Sequence, residues 1–237
     1  MRTLLLVGSV LLAATVGATD LVVHQRLSNG LPGSGASTET VYLAGDKMVT
    51  DAGTTRTIVD LAKQTITSID VTKRTYTVVT FDDLTAQMDA LKKSLESLPP
   101  EARRQMGALF DEGGPVTVTP SGKTERIAGY DAKEYVLKGG QYSGSVWATD
   151  AIATPAAFAK WKRIEQSRGG AGRQLGEAMS RITGFPLRTR IEAKAGPRSM
   201  VLSNEVLDVK EGAPPAEMLV VPAGFTKQAF GAAAGER

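Results

Sequence analysis

Between Leu21 and Phe81 apolar and polar residues alternate in short runs, the period of strands with one buried face. The runs are Leu21–Leu27, Thr38–Leu43, Lys47–Thr50, Arg56–Leu61, Thr65–Asp70 and Arg74–Phe81. Turn-forming residues separate them: Gly, Pro and Asn through Ser28–Ser37, then Gly45 with Asp46, and Asp51 with Gly53. A short repeat sits inside this region. Val59 to Thr67 is matched ten residues later by Ile69 to Thr77, in the pattern apolar, Asp, apolar, any, Lys, any, Thr, apolar, Thr. A period of about ten is one strand plus one tight turn. The Asp of each copy is placed to accept backbone N–H bonds at the bend. The repeat therefore predicts a meander of antiparallel strands.

At Asp82 the period changes. Two acidic residues give an N-cap signal, and Leu84, Met88, Leu91, Leu95 and Leu98 follow at helical spacing. Pro99 and Pro100 end that helix and open a second, Glu101–Phe110, with Met106 and Phe110 on its apolar side. Strands resume at Val116–Thr119, Thr124–Ala128, Ala132–Leu137 and Ser143–Ala148. A further helical stretch starts at Thr154 and Pro155, with Phe158, Trp161 and Ile164 on one face. Leu175, Met179 and Ile182 mark another. Pro186–Ala193 and Arg198–Val209 close the pattern as strands, followed by a Pro-containing coda, Gly212–Pro222. Roughly seven to ten antiparallel strands with helices inserted at two places make an α+β fold. A single sheet of that size curls, so the expected form is an open half-barrel whose inserted helices cover the concave face.

Composition narrows the chemistry. The 237 residues contain no Cys and one His, which excludes disulfides, thiolate metal sites, cysteine nucleophiles and multi-His metal centres. No catalytic residues, metal ligands or cofactors are expected, and the protein is read as a non-enzyme. His24 lies on an early strand beside Arg26 with no nucleophile or orienting acid nearby in sequence. Ser121 to Thr124 resembles the end of a phosphate-binding loop, but the position needing the first Gly is Thr117, so a hairpin turn is expected there.

The amino end reads as a signal peptide over residues 1–18. Arg2 precedes an apolar run of 15 residues from Leu4 to Ala18, and Val16, Gly17 and Ala18 fit a cleavage site. A membrane-spanning helix needs about 20 residues. No Cys follows the run to take a lipid anchor. The mature chain is expected in a periplasm or outside the cell. It is divided into one domain over 19–225 and a flexible tail over 226–237.

The 28 basic and 25 acidic residues are unevenly spread. Lys160, Lys162, Arg163, Arg168, Arg173, Arg181, Arg188 and Arg190 are opposed only by Glu165 and Glu177 across that segment. Such a patch either faces an anionic membrane surface or acidic protein partner, with Lys160, Lys162, Arg163, Arg168 and Arg173 as its centre, or is a solvated helix face. Aromatics do not interleave with it, so no nucleic-acid partner is expected.

Five stretches carry a resemblance: Val59 to Phe81; Ile127 to Tyr135; Val146 with Trp147; Gly184 to Leu187; and Val221 to Phe225. Together they resemble an uncharacterised family of exported bacterial proteins with a domain of unknown function. That family is similar in architecture to the periplasmic lipoprotein carriers LolA and LolB. The resemblance implies a half-barrel whose helices close its mouth, and by analogy of fold a lipid-type or acylated ligand. Met88, Leu91, Leu95, Met106, Phe110, Phe158, Trp161 and Met179 are the candidate lining of a cavity between sheet and helices, Met being suited to apolar ligands of varied shape. The competing reading makes the same residues an ordinary core seam, in an interaction or structural module with no small ligand.

Overall fold

The computed structural model describes residues 20–28, 35–99, 114–167, 172–195 and 198–230. The expected signal segment, the helix Glu101–Phe110 with Met106 and Phe110, Arg168 and residues 231–237 lie outside the described residues. Among the described residues twelve strands form one sheet: β1 (Leu21–Ser28), β2 (Ser37–Ala44), β3 (Lys47–Asp51), β4 (Thr55–Asp60), β5 (Thr65–Asp70), β6 (Thr75–Thr80), β7 (Thr117–Ile127), β8 (Tyr130–Gly139), β9 (Tyr142–Thr149), β10 (Phe185–Ala195), β11 (Arg198–Glu211) and β12 (Thr226–Lys227). Their order is β12-β6-β5-β4-β3-β2-β1-β11-β10-β9-β8-β7. Every pair is antiparallel except β12 with β6. The sheet does not close, and its twist curls it into a half-barrel. Helix α1 (Phe81–Glu96) interrupts the strands once; α2 (Ala156–Ser167) and α3 (Gly172–Ser180) do so again.

The ten-residue repeat becomes two equal turns. Asp60 Oδ1 accepts the Lys63 N–H at 2.9 Å, and Asp70 Oδ1 accepts the Lys73 N–H at 2.8 Å. Each turn ends on a residue of positive φ, Gln64 at 55° and Arg74 at 54°. Three differences from the sequence reading have local causes. Ser121 to Thr124 is a bulge inside one continuous strand, with Gly122 at φ 80°, and not a hairpin turn. The N-cap of α1 is Thr80, upstream of the two Asp residues. Its hydroxyl accepts from the Asp83 N–H while the Asp83 carboxylate accepts from the Thr80 N–H, a reciprocal capping box. Thr226 and Lys227, assigned to the tail by sequence, pair with Thr75 and Tyr76 as β12.

Each face of the sheet carries a packed core, built with different elements. On one face, which we call the helix face, Leu21, Val23, Leu43, Phe185, Leu187 and Val206 form a core against which Phe158 of α2 packs. Alongside it, Leu137, Val146, Ala148 and Ile191 meet Leu175, Ala178, Met179 and Ile182, from α3 and the turn after it. On the opposite face Val49, Ile58 and Ile69 pack under Leu219, Val221 and Phe225 of the C-terminal segment. That segment is pinned by Lys47 donating to the Leu219 carbonyl at 3.0 Å and Arg56 to the Glu217 carbonyl at 3.2 Å. The Arg74 guanidinium lies 5.8 Å from the centre of the Phe225 ring. Full burial of one Leu contributes about 1.5–3 kcal/mol, so Leu21, Leu43, Leu137 and Leu187 weight the stability toward the helix face.

Candidate functional site

Along the helix face, side chains on alternate positions of each strand point the same way. In β1 these are Leu21, Val23, Gln25 and Leu27; in β2 they are Leu43, Val41, Glu39 and Ser37. Following them outward, the surface passes from packed core to a polar row and then to an open cavity. The cavity holds about 370 Å³ and is lined by Leu27, Ser28, Gly35, Ser37, Thr189, Leu202, Ser203 and Asn204. Strand register explains this set. Ser37 pairs with Leu27, Leu27 with Asn204, and Asn204 with Thr189, one row across β2, β1, β11 and β10.

A β-bulge sets the facing of that row. Pairing between β1 and β11 shifts between His24 and Gln25, so Val23 opposes Val209 whereas Gln25 opposes Val206. The extra residue, Leu207, turns outward and is exposed. Val206 and Val209 can then both reach the core, and Asn204 comes to the helix face. Without the extra residue, strict alternation would put Asn204 on the other side.

Hydrogen bonds tie the row together with a fixed sense. Gln25 Nε2 donates to Glu39 Oε1 at 2.6 Å, and Asn204 Nδ2 donates to Gln25 Oε1 at 3.1 Å. Asn204 Oδ1 is buried and has no hydrogen-bond partner among the described residues. His24, on the neighbouring position of β1, places Nδ1 3.0 Å from Thr40 Oγ1 and takes no part in the row. Among the described residues no three of His, Cys, Asp and Glu gather closely enough to hold a metal ion.

Of the residues singled out from sequence, those described sit elsewhere than this cavity. Met88 and Leu91 are exposed on α1, at 54% and 41%, and Leu95 is half-buried. Phe158 packs into the core, 5.6 Å from the Phe185 ring. Trp161 meets Phe81 edge-on at 6.4 Å, and Met179 packs beside Ala178. Thus Phe158 and Met179 belong to a filled seam between sheet and helices. Of the basic patch, Lys160 pairs with Asp46, and the side chains of Lys162, Arg163 and Arg173 lie outside the described residues. Arg188, from the same segment, donates to both Glu125 oxygens at 2.9 Å and to Glu205 at 3.4 Å. Burial works against its charge, and the bonds to the two glutamates outweigh that, holding its pKa above the ordinary arginine value. Sequence reasoning missed Asn204, Gln25 and Glu39, and the one signal for Asn204 was the spacing of Val206 and Val209, which breaks alternation.

A family model described as a domain of unknown function, DUF4412, matches residues 27–225. The chain belongs to the DUF4412 family. No curated protein matches it. Among solved structures, this DUF4412 protein is similar to PNGF-II, at 13% identity and a TM-score of 0.40 over 91% of this chain and 32% of that one. It is also similar to MucB, at 11% identity and a TM-score of 0.42 over 88% of this chain and 59% of that one. A LolA superfamily protein from Nitrosomonas europaea matches at 11% identity and a TM-score of 0.28, over 86% of this chain and 90% of that one. The DUF4412 chain thus spans about a third of PNGF-II, the first of these. The family match begins at Leu27, in the cavity wall, and ends at Phe225, in the segment pinned across the opposite face.

Proposed function

We propose that this DUF4412 protein is an exported, non-enzymatic binding protein. Its ligand is an amphipathic molecule, such as a lipid or acylated peptide, held in the cavity between the ends of β1, β2, β10 and β11. The cavity itself carries the reading. Its volume of about 370 Å³ falls within the roughly 300–1,000 Å³ usual for small-molecule sites. Its walls combine Leu27 and Leu202 with convergent polar groups from Ser37, Thr189 and Asn204. Export rests on the apolar run from Leu4 to Ala18. Charge is weaker support for a membrane or acidic partner, because Lys160 and Arg188 are engaged with acidic neighbours.

One observation favours a second reading, a structural or interaction module. The space between sheet and helices, where a carrier of this architecture would hold its ligand, is filled by Ala157, Phe158, Ala178 and Met179. Titration with prodan, an apolar fluorophore without hydrogen-bond donors, separates the two. A binding protein takes up one prodan per chain, and Leu202→Trp blocks uptake by filling the cavity. Leu202 is 44% exposed, so that variant keeps its denaturation midpoint. No uptake by the unaltered protein, with a clean apo mass after purification from a periplasm, would leave the module.

A further inference from the structure

Resting on that reading, we propose that the cavity selects a ligand whose head carries an uncharged hydrogen-bond donor, a hydroxyl or amide N–H, and rejects an anionic head. The argument starts from Glu39. An ionised carboxylate can only accept hydrogen bonds, so the Gln25 group 2.6 Å from Glu39 Oε1 must be its NH₂. Gln25 then presents its carbonyl to the other side. The Asn204 group 3.1 Å away must in turn be the NH₂. Both amide orientations follow from the carboxylate at the end of the row, and Asn204 is left with Oδ1 as an unused acceptor. That acceptor, Oδ1, is buried and unpartnered among the described residues, on a side chain that lines the cavity.

An orphaned buried oxygen is costly, and an incoming donor removes that cost. A ligand that brings another acceptor meets Oδ1 with no proton between them, and brings a negative head near Glu39 as well. Oδ1 is shielded from solvent, so the head reaches it only as the side chains around it shift. The apolar remainder of the ligand lies against Leu27 and Leu202.

The test is displacement of bound prodan by 1-decanol, decyl methyl ether and decanoate at neutral pH. Decanol is expected to displace at about tenfold lower concentration than the ether, the factor equivalent to about 1.4 kcal/mol. Decanoate is expected to be weaker than decanol by at least that factor. In Asn204→Leu the alcohol-to-ether ratio falls toward one, each displacement being read against that variant's own prodan affinity. Glu39→Gln gives a second handle away from the cavity wall. An amide there can donate or accept, so Gln25 and Asn204 lose their fixed sense and the ratio falls again. Prodan binding with equal displacement by alcohol and ether, or with decanoate the strongest, overturns the inference and leaves the cavity reading standing. Absence of prodan binding overturns the cavity reading itself.

Discussion

The two helical insertions differ in what their apolar sides meet. Helix α1 touches β6, the strand it leaves, and carries Met88 and Leu91 into solvent. Helices α2 and α3 pack on each other and on the sheet, α2 against β2 and β3 and α3 against β7. All three are amphipathic in sequence. The docked pair is distinguished by small residues: Ala157 and Ala178 are both 0% exposed, which lets the helix backbones approach closely. Large apolar residues at helical spacing show that a helix has an apolar side. Fully buried alanines within a helix show that something is packed against it.

The largest test of this contrast is Phe158→Ala. Phe158 joins α2 to the core at Phe185, so truncation should cost about 3–5 kcal/mol, read from the denaturation midpoint. Ala178→Leu adds volume where none is free and should cost about 1–3 kcal/mol. If Ala178→Leu were neutral, α3 would be less tightly packed on the sheet than its buried alanine implies.

How much of this could be read along the chain depends on whether the cause is local. The turns after Asp60 and Asp70 are made by side chains three residues from the N–H groups they accept, and the ten-residue repeat announced them. The insertions and the coda were likewise visible as changes of period and composition. The pairing of β1 with β11 joins residues almost a full chain apart, and nothing in either strand alone specifies it. The bulge at Leu207 compounds the difficulty, because it reverses the facing of Asn204 relative to simple alternation. A polar row assembled from β1, β2 and β11 becomes legible only once register is known. The candidate lining residues stand out in sequence by helical spacing, a feature shared by the docked helices and the exposed one.

A smaller test concerns the start of α1. Thr80→Ala removes one half of the capping box and should cost about 1 kcal/mol of helix stability. The loss should be local, seen as faster hydrogen exchange in the first turn of α1 with the exchange of α3 unchanged. The same cap gives a pH signature. Hydrogen bonds from the Thr80 side chain and, to a lesser extent, its backbone N–H hold the Asp83 carboxyl below its ordinary pKa. A lowered folded-state pKa gives stabilisation that is present above the unfolded-state value and lost as pH falls through the folded-state value. Exchange in the first turn should therefore accelerate, beyond its intrinsic pH dependence, on acidification below the ordinary Asp range. Asp83→Asn should flatten that response. An unchanged response in Asp83→Asn would remove the cap from the account of why α1 persists with Met88 and Leu91 exposed.

The smallest expected effect is the most discriminating for the comparison. Gln has nearly the helix propensity of Leu and Met, so Met88→Gln and Leu91→Gln change burial and little else in an exposed helix. On the described geometry each should move the denaturation midpoint by less than about 0.5 kcal/mol, as surface substitutions do. Ile182→Gln provides the matched control. Ile182 is buried beneath α3, and placing an amide there removes apolar burial and strands polar groups, for a loss of several kcal/mol. A loss of 2 kcal/mol or more at Met88 or Leu91 would mean that the α1 stripe is covered in solution. Sedimentation at two protein concentrations would then say whether the cover is a second copy. A loss that shrinks on dilution identifies an intermolecular contact, and one independent of concentration identifies a contact within the chain. Either result would make α1 a docked helix like α2 and α3, and the contrast between the insertions would reduce to a difference in what each one docks upon.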